Sequence, residues 1–476
     1  MKIRFFTPLI TLLLSLCILS SCSSEKKPKY IFYFIGDGYG LAQSAMAENY
    51  LDAVAKDSSV THLQMLKMPV FGTQTTYSNS SFVTCSSASG TALATGVKTN
   101  NGMLGVTPDN KPLKTIAEKF HNEGFNVGII STVGLNHATP AAFYASAEKR
   151  SNYNEISKQL AESGFEFFGG GSLISSDENP EIWDYVKEKG YTVSNNFEEI
   201  NNHKLADGKL IAISSKIGAG SDIPYYVDQP NHNMHLPYFV DKMINLFQES
   251  DKGFFAMIEA GKIDWSSHGN DAAGTLFECL QLDKAYEVAY KFYLEHPDET
   301  LIFITADHET GGLGIGQNSL GYKFFPELME KTKVSGDGFN AIVDQLAKDN
   351  ASLEEVYDVI EEQFGFNSGD SRFALSKKDS ARIEMMYHKR FSKNNILSSD
   401  MLEAYDLTDK STLSNTCLTI MNEKTGTGWT TRSHTGITVP VRAIGAGAEV
   451  FNGFYDNTDI PKKLNSFTQT PDQPLN

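Results

Sequence analysis

Paired carboxylate and imidazole side chains occur on separate segments of this 476-residue chain. Asp307 and His308 are adjacent after an apolar run, and Asp264 precedes His268 by four residues. That spacing places both side chains on one face of a helix, and His434 adds an imidazole from a third segment. One such pair is weak evidence, because an isolated histidine is more often a core or surface residue. Several pairs favour a metal centre, since carboxylates and imidazoles are the usual zinc ligands outside cysteine sites.

A run of small residues from Thr84 to Ala92 indicates a second kind of chemistry. Small side chains allow an anion to approach a helix N-terminus closely, and the free amide groups there favour phosphate. A serine in such a run can act as a nucleophile if a metal lowers its pKa. Taken alone, the run fits a tightly packed helix or a polar loop more readily than a catalytic site.

Strands and helices alternate along the chain. Unbroken apolar runs predict strands buried on both faces at Tyr30 to Ile35, Asn126 to Ile130, Phe254 to Ile258, Leu301 to Thr305 and Val439 to Ile444. Between them, a 3-4 spacing of apolar residues predicts helices, one from Leu113 to Gly124 and one from Thr275 to Leu294. This rhythm predicts an α/β fold with a mostly parallel central sheet sandwiched by helices.

Ligands of such sheets bind beyond the carboxyl ends of the strands. The acidic and polar residues follow predicted strands: Asp37 in a glycine-flanked turn, Glu259 and Asp264 after a later strand, and Asp307 after the next. The strand rhythm lapses between residues 319 and 425, which predicts an inserted cap, and a shorter irregular region runs from Gly169 to Asn233.

The N-terminus has the pattern of an export signal. Residues 1–21 contain a basic start, an apolar run from Leu9 to Leu19 and small residues before Cys22. Leu-Ser-Ser-Cys resembles the bacterial lipoprotein box, in which the cysteine is acylated. We therefore expect residues 22–29 to form a tether, residues 30–476 to form the folded domain, and the protein to be an exported, membrane-anchored lipoprotein of the periplasm or cell surface. An ordinary signal peptide with an incidental cysteine is the alternative.

Charge and cysteine content exclude other classes. The formal net charge of −17 argues against nucleic-acid binding. Beyond Cys17 and Cys22, the cysteines are Cys85, Cys279 and Cys417, which are widely spaced and odd in number, so no disulfide framework is indicated.

Considered together and in order, the motifs resemble those of alkaline phosphatases. The resemblance covers about Tyr30 to Ile460, apart from the two less regular regions. It is carried by Asp37-Gly38-Tyr39-Gly40, Thr84 to Gly102, His137-Ala138-Thr139-Pro140 with Arg150, Glu259 to His268, Thr305 to His308, and His434-Thr435-Gly436.

The resemblance implies a hydrolase of phosphate monoesters that releases inorganic phosphate through a phosphoserine at Ser86, with Arg150 as phosphate clamp. It implies two zinc ions, one held by Asp264, His268 and His434, the other by Asp37, Asp307 and His308. It implies one magnesium ion held by Asp37, Thr139 and Glu259. Dimerisation is common in the family, so a homodimer fits the sequence, which leaves the oligomeric state open.

Three positions depart from many members of that family. Cys85 replaces an aspartate before the nucleophile, so another group must orient Arg150 if anything does. His137 replaces an aspartate near the third metal, and Trp265 replaces a lysine near phosphate, although other relatives have histidine or aromatic residues there.

Related activities remain as alternatives. The cysteine at position 85 suggests a sulfatase, but the Cys-x-Pro-Ser-Arg motif expected around such a cysteine is absent. A phosphodiesterase usually lacks the arginine and the third-site residues, which are present here. A non-catalytic surface protein that binds phosphate or glycans would be expected to have lost a ligand, and none is missing.

Overall fold

The computed structural model describes residues 27–55, 62–318, 320–392 and 397–469. The predicted signal peptide, Cys22 and most of the tether lie outside the described residues. The strands are β1 Tyr30–Gly36, β2 Val70–Thr75, β3 Asn126–Ser131, β4 Phe167–Gly170, β5 Tyr191–Ser194, β6 Lys209–Ile213, β7 Phe254–Ala260, β8 Thr300–Thr305, β9 Glu309–Thr310, β10 Gly314–Ile315, β11 Thr427–Gly428, β12 His434–Thr435, β13 Val439–Gly445 and β14 Gly453–Asp456.

The α-helices are α1 Leu41–Val54, α2 Ser86–Thr95, α3 Ile116–Asn122, α4 Ala138–Ala141, α5 Tyr153–Glu162, α6 Glu181–Glu188, α7 Phe197–Asn202, α8 Leu236–Phe247, α9 Lys262–His268, α10 Ala272–Glu295, α11 Gly336–Lys348, α12 Leu353–Phe364, α13 Lys377–Phe391, α14 Ser399–Glu403, α15 Leu413–Thr425 and α16 Asp459–Asn465.

Ten strands form one central sheet in the order β14-β2-β13-β8-β1-β7-β3-β4-β6-β5. All pairs are parallel except those of β13, which runs antiparallel to both β2 and β8. The sequence prediction of a mostly parallel α/β sheet is therefore confirmed, as are all five predicted strands and the long helix, which is α10.

Helices cover both faces of the sheet, and each face has its own core. Every residue of β1 is buried, and alternate side chains point to opposite faces. Phe32 and Phe34 join the core that includes residues of α1, α8 and α10. Ile31 and Tyr33 join the core that includes residues of α2, α3 and α5. This double burial explains why β1 is an unbroken apolar run.

The irregular region predicted from Gly169 to Asn233 contains ordered strands. β4 ends at Gly170, and β5 and β6 lie within the region, so three strands extend the sheet beyond β3. Each has only four or five residues. Strands this short give little periodicity for a sequence analysis to detect.

The residues from Gly336 to Thr425 are mainly helical and have a third core of their own. It includes Phe339, Phe364 and Ile383. Arg382, only 2% exposed, donates to Glu423 at 2.7 Å. In the described part of the chain, no helix has the length and apolarity needed to cross a membrane, and Cys85, Cys279 and Cys417 are free thiols.

Candidate active site

The central strands bring the predicted site residues to one edge of the sheet. In the parallel register, Ile35 of β1 lies beside Glu259 of β7 and Thr305 of β8. Asp37 and Asp307 follow the ends of β1 and β8, so they emerge side by side. The turn after Asp37 needs Gly38, whose φ is +74° and whose added Cβ would lie 2.8 Å from the Asp264 Cα.

Asp264, His268 and His434 form a first set of converging ligand atoms. The two imidazole Nε2 atoms are 3.1 Å apart. They lie 3.4 Å (His268) and 3.6 Å (His434) from Asp264 Oδ1. The opposite nitrogens are held by backbone, since His268 Nδ1 is 2.6 Å from the Arg432 carbonyl and His434 Nδ1 is 2.8 Å from that of Thr84. This arrangement leaves Nε2 of each ring for a shared cation.

Asp37, Asp307 and His308 form a second set. His308 Nε2 lies 3.5 Å from Asp37 Oδ1 and 3.2 Å from Asp307 Oδ2. The Ser86 Oγ is 3.2 Å from the same Nε2. The His308 ring stacks on His434 with centroids 3.5 Å apart, so the two sets are in contact.

A third group lies on the other side of Asp37. Thr139 Oγ1 donates to Asp37 Oδ2 at 3.3 Å. Glu259 accepts a short hydrogen bond from Ser131. Asp37, His137 and Glu259 each offer one ligand atom within a 4.8 Å cluster. His137 thus joins the acidic residues that the sequence predicts for this group.

Several buried ligand atoms have no hydrogen bond among the described residues. They are Asp37 Oδ1, Glu259 Oε1 and Asp307 Oδ2. Burial, reinforced by neighbouring carboxylates, raises the pKa of Asp37 and Asp307 well above the usual range. Burial also raises the pKa of Glu259 to about 7. Buried, unsatisfied carboxylates in contact are costly without a cation, so this donor set fits divalent metals.

Ser86 is the first residue of α2, and Cys85 precedes it as the N-cap. Ser89 Oγ, one turn on, donates to the Asp307 carbonyl at 2.6 Å and accepts from Asn457 at 3.0 Å. These bonds tie the start of the helix to the end of β8. The small residues of α2 are all buried, which is why the run contains no large side chain.

Arg150 reaches the site from outside the sheet. Its Nη2 lies 2.9 Å from His137 Nε2. Burial and the nearby guanidinium lower the pKa of His137 to about 3, so the neutral ring accepts this bond. Among the described residues, His137 is therefore the one whose side chain bonds the Arg150 guanidinium. Cys85 instead faces Gly102, whose amide donates to Sγ at 3.1 Å.

Comparisons with known proteins identify the family of the chain. A family model described as alkaline phosphatase matches residues 28–167 and 180–470. The chain belongs to the alkaline phosphatase family. Alkaline phosphatase 3 of Bacillus subtilis (strain 168) is 29% identical over 457 residues, covering 93% of this chain and 89% of the relative. Alkaline phosphatase 4 of the same organism is 30% identical over 394 residues, covering 79% and 75%.

A solved structure extends the similarity to the fold. The cold-active alkaline phosphatase of the psychrophile Shewanella sp. has a TM-score of 0.78 and 28% identity, covering 92% of this chain and 99% of that one. This alkaline phosphatase is thus a metal-dependent enzyme whose substrates are phosphate esters and whose product is phosphate.

Sequence reasoning missed three groups that orient the ligands of this alkaline phosphatase. Thr310 Oγ1 donates to Asp264 Oδ1 at 2.5 Å, Ser131 donates to Glu259, and the Arg432 carbonyl meets His268. Ser131 ends β3 directly beside Glu259, so strand register could have found it. No sequence pattern predicts the contacts of Thr310 and Arg432, because these contacts depend on how β9 and β12 pair.

Proposed function

We propose that this alkaline phosphatase hydrolyses phosphate monoesters through a covalent phosphoserine at Ser86. The observation that carries the proposal is the position of the Ser86 Oγ: at the N-terminus of a ten-residue helix and 3.2 Å from His308 Nε2, where the first two ligand sets meet. A helix N-terminus presents free amides to an anion, and a phosphate group held there would lie beside the Ser86 hydroxyl.

We propose two zinc ions and one magnesium ion as the cofactors. Zinc is assigned to the nitrogen-containing sets, one of Asp264, His268 and His434 and the other of Asp37, Asp307 and His308. Magnesium is assigned to the oxygen ligands Asp37, Thr139 and Glu259. When bound, such metals supply Lewis-acid stabilisation of the negative charge on phosphoryl oxygens and lower the pKa of a hydroxyl or water.

The chain's own residues carry the covalent steps. Arg150 binds the non-bridging phosphate oxygens with its planar fork. Ser86 Oγ forms a bond to phosphorus while the bond to the ester oxygen breaks and the alcohol leaves. Water then attacks the phosphoserine, the phosphorus–Oγ bond breaks, and inorganic phosphate is released with Ser86 restored. Dividing the hydrolysis this way replaces one difficult step with two easier ones.

The substrate class is tested by assaying the purified protein, with zinc and magnesium, on a monoester, a diester and a sulfate ester of the same alcohol. We expect the monoester to be hydrolysed with a kcat/KM orders of magnitude above the other two. We also expect Arg150→Ala to reduce that preference. A faster diester reaction would assign the site to a phosphodiesterase of the same superfamily.

The zinc assignment is tested with His434→Ala. We expect turnover to be abolished and the zinc content to fall, because one of three ligands of the first set is lost. The half-buried His203, which bonds the Gly208 carbonyl, provides a control variant, His203→Ala, with unchanged zinc content. Unchanged zinc and rate in His434→Ala would show that His434 has no metal role.

We further propose that the protein is exported and anchored by a lipid on Cys22, with residues 319–425 as a cap inserted in the domain of residues 30–476. The anchor proposal rests on the Leu19-Ser20-Ser21-Cys22 sequence. Cys22→Ser is expected to release the protein from the membrane fraction or to block its processing. Equal membrane retention of the variant would contradict it.

We also propose that the enzyme forms a homodimer. Apolar side chains remain exposed at the β14 end of the sheet, where Phe71 is 43% and Phe454 68% exposed. Contiguous exposed apolar surface marks sites of association, and Phe71 and Phe454 lie on the adjacent strands β2 and β14. Sedimentation should give a dimer for the native chain and a monomer for Phe71→Lys/Phe454→Lys, and a monomeric native chain would contradict the proposal.

A further inference from the structure

An ion pair is buried directly behind the predicted metal ligands. Lys262 lies two residues before Asp264 on α9, and its Nζ contacts Asp222 Oδ2. The two side chains are only 3% and 6% exposed. Because desolvation offsets most of the attraction, a buried ion pair contributes little net stability. Its position beside the site points to a role other than stability.

Asp222 organises a glycine-rich loop from Gly218 to Asp222. Its Oδ1 accepts from the Gly220 amide at 3.0 Å, and its carbonyl accepts from the Gly218 amide at 2.8 Å. Gly220 is pressed against the indole of Trp265, since an added Cβ would lie 2.6 Å from the ring. The carboxylate of Asp222 therefore fixes the loop that forms one wall around Trp265.

Lys262 holds Trp265 from another side. The Nζ atom lies 3.5 Å from the centroid of the Tyr225 ring and 5.0 Å from that of Trp265, which are cation–π distances. Trp265 in turn meets His137 edge-on, with centroids 5.8 Å apart and planes at 80°. His137 then bonds Arg150 at 2.9 Å. A continuous set of contacts thus links the ion pair to the guanidinium.

We propose that the Lys262–Asp222 ion pair is a positioning device for phosphate binding, which fixes Trp265 and, through His137, aims Arg150. The inference rests on the proposed role of Arg150 as the phosphate clamp. Cys85 bonds the Gly102 amide, and the only described residue whose side chain bonds the Arg150 guanidinium is His137. The orientation of the clamp therefore depends on whatever holds His137 in place.

The experiment measures the Ki of inorganic phosphate as a competitive inhibitor, together with kcat and KM. Lys262→Gln and Asp222→Asn are each expected to raise that Ki about tenfold, since a displacement of about 1 Å at a positioned group has effects of that order or larger. The intrinsic fluorescence of Trp265, assigned by difference from Trp265→Phe, is expected to shift in both variants.

A matched control separates positioning from general stability. Arg382 and Glu423 form an ion pair in the third core, and Glu423→Gln breaks it. This variant is expected to lower the melting temperature while leaving the phosphate Ki unchanged. An equal rise in Ki for Glu423→Gln would overturn the proposal, because the effect would then come from stability alone.

A neutral double variant gives a second measurement if the single variants fold poorly. Lys262→Met/Asp222→Asn removes both charges of the pair, so it should be more stable than either single variant. The phosphate Ki should stay raised, because no cation faces Trp265; a native Ki would overturn the proposal. Arg150→Ala tests the phosphate clamp separately from the positioning role of the ion pair. An unchanged Ki in Arg150→Ala contradicts the clamp itself, whereas a raised Ki there with native values in Lys262→Gln and Asp222→Asn overturns only the positioning role.

Discussion

Cys85 and Ser86 are neighbours at the start of α2, but their surroundings give them different chemistry. The Cys85 thiol contacts Ser87 Oγ at 3.2 Å and accepts from the Gly102 amide. Burial raises the pKa of this thiol, but the bonds from Ser87 and from the Ala88 and Gly102 amides outweigh it, so the pKa is lowered overall. Ser86 instead faces His308. The thiol is engaged in packing, and the hydroxyl faces the ligand sets.

This difference leads to a prediction for the two neighbours. Ser86→Ala should lower the rate by several orders of magnitude while the metals stay bound, because the other ligands are intact. Cys85→Ala should keep most of the activity. Mass spectrometry of enzyme quenched in acid during turnover should find phosphate on Ser86, and phosphate on Cys85 or a fully active Ser86→Ala enzyme would refute the assignment.

The buried carboxylates predict how the metal-free protein responds to pH. Asp37, Asp307 and Glu259 have pKa values raised in the folded state, so folded protein binds more protons than unfolded protein and stability falls as pH rises. His308 and His434, whose pKa values are lowered, act oppositely only below about pH 6.5. The melting temperature of metal-free protein should therefore fall as the pH rises from about 6.5 through the Glu259 pKa of about 7.

Zinc and magnesium should remove most of this decline, because bound cations replace the protons. Metal-free Glu259→Gln should show a shallower decline than the native chain, since one of the titrating groups is gone. A melting temperature of metal-free protein that is constant or rising over this range would contradict the mutual repulsion of these groups.

Residue type and spacing suffice to propose the candidate ligands, because aspartates and histidines that follow strands form a recognisable pattern, and the structure brings these side chains together. The contact between His137 and Arg150 could not be predicted. It depends on where the Arg150 side chain lies, thirteen positions along the chain from His137, and the family pattern of an aspartate before the nucleophile does not predict that.

At the scale of elements, the connection between α9 and α10 links the site to the helical region from Gly336 to Thr425. Asn270 has a left-handed φ of +54°, and its carbonyl accepts from Asn422 at 2.8 Å. Asp271 caps α10 by accepting from the Gly274 amide and also accepts from the Gly336 amide, both at 2.8 Å. The connection that follows His268 is thus bonded both to α10 and to the helical region from Gly336 to Thr425.

Asp271→Ala is expected to destabilise the protein by about 3 kcal/mol, because two buried amides lose a charged acceptor. Denaturant unfolding measures the loss. Ser352→Ala provides the control: it removes an exposed N-cap bond on α12 and should cost about 1 kcal/mol. Equal costs for the two variants would show that the bond to Gly336 contributes nothing.

Elements were predictable in proportion to their length. The buried strands such as β1 and the 24-residue α10 have strong patterns. β9, which follows His308, and β12, which begins at His434, have two residues each, and strands of this length leave no periodic signal.

At the scale of the whole molecule, the proposed metal ligands come from segments as distant as Asp37 and His434, so bound metal would link both ends of the chain. We expect zinc to raise the free energy of unfolding by about 4 kcal/mol at a thousandfold excess over its Kd. Thermal unfolding at several zinc concentrations checks this, with His434→Ala as the comparison. A melting temperature independent of zinc would contradict linkage through the site.

The order of the strands in the sheet also determines how much of the chain must be synthesised before the sheet can form. β1 is made first, yet its neighbours in the sheet are β7 and β8, which end at Ala260 and Thr305. A ribosome must therefore add more than half of the chain before the first strand has both partners, and His434 follows later still. Until then the nascent chain holds an apolar strand with open edges, a state that aggregates readily and that chaperones recognise. Each molecule can therefore become active only when nearly the whole polypeptide has been synthesised.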